Sequence, residues 1–175
     1  MQRMIEQLLD LTRARLTDGI PVAISAEELD LGALLTKIVD ETRAGHPNCA
    51  IELDVPGPCA ARIDPDRLEQ VMSNLLGNAL THGDWSQPIR VELSCMPEWA
   101  SLAVHNYGAP IPVDFLPQLF NPFAREQASR HASEGLGLGL YISERIVAAH
   151  GGTLSVQSSA AAGTRFEVRL PRGSH

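Results

Sequence analysis

A chain of 175 residues that is 44% apolar can bury a core of its own, and its formal charge of −7 excludes broad nucleic-acid binding, which demands a basic face. Its apolar runs fall short of a bilayer's width and its start lacks the succession of a signal peptide, so it reads as a cytoplasmic domain without membrane contact, whatever anchors a larger protein around it. Cys49, Cys59 and Cys95 are odd in number and lack Cys-x-x-Cys spacing, which speaks against a disulfide framework and a zinc site and favours reduced thiols.

Residues 1 to 16 carry Met4, Ile5, Leu8, Leu11 and Leu16 at helical spacing, an amphipathic segment that stops before Asp18-Gly19. Ile20 to Ser25 suits a short strand. Asp30 can cap a helix whose stripe of Leu31, Leu34, Leu35, Ile38 and Val39 fades before His46-Pro47. Ala50 to Val55 alternates as a strand. Asp64 and Pro65 then suit the cap and first position of another helix, with Leu68, Val71, Met72, Leu75, Leu76 and Ala79 as its buried stripe. Ile89 to Cys95 and Trp99 to His105 make a hairpin across Met96-Pro97-Glu98, and a short helix fits near Asp114 to Leu119. Ala124 to Glu134 is polar and aperiodic, a candidate mobile loop. Leu140 to His150 is helical up to Gly151-Gly152, and Thr153 to Ser158 with Arg165 to Leu170 close the chain as a strand pair. Helices mixed with hairpins predict a mixed sheet covered by helices on one face.

Asn74 and Asn78 stand one turn apart, and with Thr81 and His82 they line one flank of their helix's apolar stripe. Two amides there suit a metal and a triphosphate, or simply border the core. Only Lys37 is a lysine among the fourteen basic residues, so arginine, a metal or backbone N–H groups must meet any phosphate charge. Gly135-Leu-Gly-Leu-Gly-Leu140 opens into a helix and can address an anion with its N–H groups, or serve as a hinge. It is neither a dinucleotide fingerprint, which needs a strand before it, nor a Walker loop, which needs Gly-Lys-Ser/Thr. Asn106-Tyr-Gly-Ala-Pro-Ile111 and Gly163-Thr164 read alone as turns.

In this order the segments resemble the catalytic and ATP-binding domain of a sensor histidine kinase, within the gyrase, Hsp90, histidine kinase and MutL superfamily. Asn74 to His82 matches the N box, Asn106 to Ile111 the first glycine box and Leu119 to Arg125 the phenylalanine box. Gly135 to Leu140 with Ala149 to Gly152 matches the second glycine box and its helix, and Gly163-Thr164-Arg165-Phe166 the last. The resemblance implies a two-layer α/β sandwich, a mixed five-stranded sheet with three main helices on one face, known as the Bergerat ATP-binding fold. It implies residues 1–18 as the end of a dimerisation helix, 19–172 as the catalytic domain, and 173–175 as a tag remnant.

It further implies ATP and Mg²⁺ as cofactors, with Asn78 as the metal ligand and Asn74 assisting on phosphate or metal-bound water. Thr81, His82, Asn106, Gly108, Ile111, Gly135, Leu136, Gly137, Leu138, Gly139 and Thr164 would line the nucleotide, and Arg125 and Arg130 would meet the γ-phosphate. Asn106 replaces the usual aspartate and Thr81 a common lysine; with His82-Gly83 and Pro110 these changes look like a phytochrome-type variant. The hydrolysing members carry a glutamate where this chain has Asn74, and an amide cannot accept water's proton, so ATP would be held for transfer to a histidine on the dimerisation domain. No histidine on this chain stands before an acid on the expected helix, so the phosphoacceptor lies elsewhere. The implied partners are that dimerisation domain and a response regulator, and the stripe of the first helix must be buried either on its own domain or on a second copy of the chain in a homodimer. A nucleotide-binding regulatory module without transfer, or an anti-sigma-type serine kinase, are the alternatives.

Overall fold

Two aspartates begin the two long core helices. In the computed structural model, which describes residues 2–16, 19–124 and 137–173, the Asp30 carboxylate accepts from the N–H groups of Gly32 at 2.8 Å and Ala33 at 3.2 Å, and α2 runs Leu31–Gly45. Asp64 accepts from Arg67 N–H at 3.2 Å at the start of α3, Pro65–His82, with Pro65 in the first turn where no N–H is needed. A third core helix, α4, spans Gly139–Ala149, and an N-terminal helix, α1, spans Gln2–Leu16.

The strands are β1 Leu29–Asp30, β2 Ile51–Asp54, β3 Ala60–Ala61, β4 Ile89–Cys95, β5 Trp99–Asn106, β6 Thr153–Ser159 and β7 Gly163–Pro171. Five of them form one mixed sheet in the order β2-β4-β5-β7-β6, parallel only at β2 and β4. β1 and β3 pair separately. Alternation sorts the faces: Ile89, Val91 and Leu93, then Leu102 and Val104, then Phe166, Val168 and Leu170 are buried under the helices. Arg90, Glu92, Arg165 and Glu167 stand on the other face, where Arg165 bonds Glu92 at 2.6 Å and Ser101 donates to Glu167. The predicted mixed sheet with helices on one face is therefore the architecture found. Among the described residues no helix is long and apolar enough to cross a membrane.

His150 joins the ends of two helices. Its Nδ1–H donates to Ile146 O at 2.8 Å, and Nε2 accepts the Asp64 N–H at 3.0 Å, so one tautomer satisfies both partners. On the other flank α1 docks by a buried ion pair, with Asp10 accepting from Arg67 Nη1 at 3.0 Å and from Gln70 Nε2 at 3.0 Å. Leu11 is buried beside it, while Ile5, Leu8 and Leu9 face outward.

Two expectations are corrected. Cys59 and Cys95 form a disulfide with Cα atoms 5.6 Å apart, joining the start of β3 to the end of β4; only Cys49 is a free thiol. Sheet pairing, which sequence spacing does not report, brings the two together, and the cysteines lose their weight as a sign of a reducing compartment. Ile20 to Ser25 is not a strand: the Ala23 N–H goes to the Asp64 carboxylate at 2.7 Å and Ser25 N–H to Ile63 O at 3.1 Å, leaving no ladder to build. The short helix expected near Asp114 to Leu119 is present as a 3₁₀ helix, Leu116–Gln118. The candidate loop Ala124 to Glu134 falls, except for Ala124, outside the described residues.

Candidate nucleotide site

Asn74 and Asn78 both lie on the polar flank of α3, as their spacing predicts, but in different surroundings. Asn74 is 8% exposed; its Nδ2 donates to Gly139 O at 3.3 Å and to Ser143 Oγ at 3.2 Å, which ties α3 to the first turns of α4. Asn78, one turn on, is half-buried. Thr81 is exposed and turns its hydroxyl back to Gly77 O at 2.8 Å, and His82 is exposed at the helix end. Asn74 also lines a groove of about 750 Å³ bordered by Asp10, Lys37, Arg67, Gln70 and Ser73.

At the exit of β5, Asn106 is 6% exposed and its Nδ2 donates to Tyr107 O at 3.2 Å, which turns its acceptor oxygen the other way. The α3 end and the β5 exit are tied by a Gly83–Gly108 bridge and by Asp84 N–H to Tyr107 O at 2.6 Å. Two glycines are required by close approach. A Cβ on Gly108 would lie 2.4 Å from His82 O, and one on Gly163 would lie 2.4 Å from Asn106 O, and both have positive φ. The Thr164 hydroxyl is 2.7 Å from Ser158 Oγ, which in turn accepts the Ile111 N–H at 2.9 Å.

Gly137, φ +70°, accepts at its carbonyl from Phe123 N–H at 3.0 Å, so the stretch after the 3₁₀ turn meets the stretch before α4. Leu138 is fully buried, so its side chain belongs to the core and only its backbone can face a ligand. Arg125, Arg130, Gly135 and Leu136 lie outside the described residues. The rest of the predicted set falls in two groups: Asn74, Gly137 and Gly139 at the α3–α4 junction, with Asn78 and Thr81 further along α3, and Asn106, Gly108, Ile111 and Thr164 at one end of the sheet, joined through His82 and Gly83.

Two hydroxyls belong to the site that the sequence reading passed over. Ser143 sits among the buried Ile142, Ile146 and Val147 of α4, and Ser158 continues the inward row of Leu154 and Val156 on β6. A polar residue in phase with an apolar stripe is the signal that could have found either one.

The Asn78 side chain offers an amide oxygen, a hard donor of the kind Mg²⁺ takes, and among the described residues no three His, Cys, Asp or Glu side chains gather.

A mixed sheet with helices on one face, and with amides and glycine turns gathered between two helices and the end of the middle strands, has the layout of an ATP-binding α/β sandwich. The chain belongs to the histidine kinase-, DNA gyrase B- and HSP90-like ATPase family, whose model matches residues 63–174. It is 37% identical over 172 residues to a bacteriophytochrome of Pseudomonas aeruginosa, covering 98% of this chain and 23% of that protein. It is 36% identical over 173 residues to the sensor histidine kinase CusS of Escherichia coli, covering 98% of this chain and 35% of that one. The chain thus spans between about a quarter and a third of the curated relatives it matches. The structure of the mycobacterial sensor histidine kinase MprB superposes with a TM-score of 0.72 at 26% identity, over 83% of this chain and 96% of that one. Full-length ShkA in complex with AMPPNP has the same fold, with a TM-score of 0.81 at 22% identity over 99% of this chain and 36% of that one.

Proposed function

We propose that the chain is the ATP-binding catalytic domain of a two-component sensor histidine kinase, which binds Mg-ATP and passes its γ-phosphoryl group to a histidine on a dimerisation domain. The observation that carries the transfer step is Asn74. The position suited to a base holds an amide, bonded to Gly139 and Ser143, and an amide has no basic site for the proton of water. ATP is therefore stable until an imidazole from another domain attacks the γ-phosphorus, forming a P–N bond as the P–O bond to ADP breaks.

Asn78 would hold Mg²⁺, which would supply positive charge to offset that of the phosphates. Asn106 accepts from the base's amino group, with Gly108, Ile111 and Thr164 around it, and the backbone of Gly137 to Gly139 addresses the phosphates at the start of α4, a role also assigned to Gly135 and Leu136. Arg125 and Arg130 are assigned to the γ-phosphate, and His82 to the phosphate side. Residues 1–18 are the end of the dimerisation helix, 19–172 the catalytic domain and 173–175 a tag remnant. A second copy, a cytoplasmic response regulator and a cytoplasmic setting complete the reading.

A second reading is favoured by Thr81. Its hydroxyl is turned to its own helix, so no cation stands at that position, and with the uncharged Asn106 this suits a nucleotide-binding module without transfer. One experiment separates the two. The chain is mixed with labelled ATP and a dimerisation fragment of a histidine kinase, and acid-labile phosphohistidine is measured on the fragment. Transfer supports the kinase; tight binding of a non-hydrolysable ATP analogue without transfer supports the module; no binding at all retires both.

A further inference from the structure

The inner face of the sheet changes character in its last row. Val104 on β5, Phe166 on β7 and Val156 on β6 lie side by side as an apolar row under the helices. One step further along the same face, the row becomes Asn106, Thr164 and Ser158, which are cross-strand partners in the same order. Thr164 and Asn106 are each 6% exposed, and Ser158 is half-buried.

One hydrogen bond of this row has a fixed direction, and the next can take either. Ser158 Oγ accepts the Ile111 N–H at 2.9 Å, so one of its lone pairs is used and the hydroxyl hydrogen is left to give. Its neighbour is Thr164 Oγ1 at 2.7 Å. If Ser158 donates there, the Thr164 hydrogen is free to point away from β6, along the row toward β5. Asn106 has turned its NH₂ toward Tyr107 O and offers its oxygen as an acceptor. The row then ends in a donor beside an acceptor.

We propose that Ser158 is a positioning residue that sets base selectivity: by taking the Ile111 N–H and donating to Thr164, it leaves Thr164 as a hydrogen-bond donor beside the Asn106 acceptor. That pair matches a purine with a ring-nitrogen acceptor next to an exocyclic amino group, which is adenine. Guanine presents a ring N–H and a carbonyl oxygen at the same edge and meets donor against donor and acceptor against acceptor. The inference rests on the nucleotide-binding reading above and adds to it which residue orients the discriminating hydroxyl.

The test measures equilibrium binding of Mg-ATP and Mg-GTP to the wild-type chain and to Ser158→Ala and Ser158→Thr. Loss of the relay in Ser158→Ala should weaken ATP binding by roughly tenfold and leave GTP binding as it was, so the ratio falls, whereas Ser158→Thr retains the hydroxyl and the ratio. An equal loss for both nucleotides, or none, overturns the proposal and leaves Ser158 a packing residue. A second measurement needs no variant: 1-deaza-ATP lacks the ring acceptor and should bind the wild type roughly tenfold more weakly than ATP, and equal affinity sinks the idea. Failure of the wild type to bind either ATP or GTP would instead overturn the nucleotide reading on which the proposal rests.

Discussion

Asn78 and Asn74 are one turn apart in sequence and differ in what their amides can do. Asn74 spends its NH₂ on Gly139 and Ser143, while Asn78, one turn further along α3, is half-buried. Substitution of Asn78 by alanine should therefore remove the magnesium-dependent part of ATP binding, at least tenfold by calorimetry with the metal present and little with it chelated; equal losses in both conditions would argue that Asn78 contacts the nucleotide itself. Cys49 makes a separate prediction. It is 5% exposed, and burial pushes its thiol pKa up, so the native protein should react negligibly with a thiol reagent at neutral pH. One equivalent should react on unfolding and three after reduction. At this scale the amides were legible because helical period alone puts them on one flank. Ser143 and Ser158 were not, because a hydroxyl inside an apolar stripe looks like filler until its partner on another element is known.

Among the elements, helices were readable and small strands were not. Asp30 and Asp64 announce α2 and α3 as caps, and each makes the bonds a cap should make. β1 and β3 are two residues each and carry no periodicity, so only their pairing to one another defines them. The disulfide belongs to the same class of fact. Cys59 and Cys95 are 36 residues apart and meet because β3 lies near the end of β4. Closing a loop of that length is worth about 4 kcal/mol in the unfolded chain, so reduction should lower the melting temperature by on the order of 10 °C in a calorimetric scan. An unchanged melting temperature would mean that the bridge is incidental to the fold. The turn at Gly163 should be equally intolerant. Alanine there meets both an unfavourable φ of +74° and the Asn106 carbonyl at 2.4 Å, so Gly163→Ala should cost well over ~1 kcal/mol and weaken nucleotide binding by displacing Thr164.

For the molecule as a whole, the amphipathic first segment was legible as a helix, but its docking was not, since the contact that fixes it is polar. Asp10 is nearly buried against Arg67 and Gln70, and removal of one partner from such a pair leaves the other charge without its counterion. Asp10→Ala should cost about 3 kcal/mol locally, seen as faster hydrogen exchange in α1 with little change in the exchange of β5 and β7. Uniform acceleration everywhere would mean that α1 is part of the cooperative core. The sheet order has a consequence for how the chain is made. β7, Gly163–Pro171, follows β6 in sequence yet lies between β5 and β6, and it places Thr164 beside Asn106. Until β7 is made and pairs, β5 keeps an open edge and the proposed nucleotide pocket has no Thr164. An unpaired edge of that length is a template for pairing with other chains, so the order of synthesis leaves an interval in which the domain is prone to misassociate.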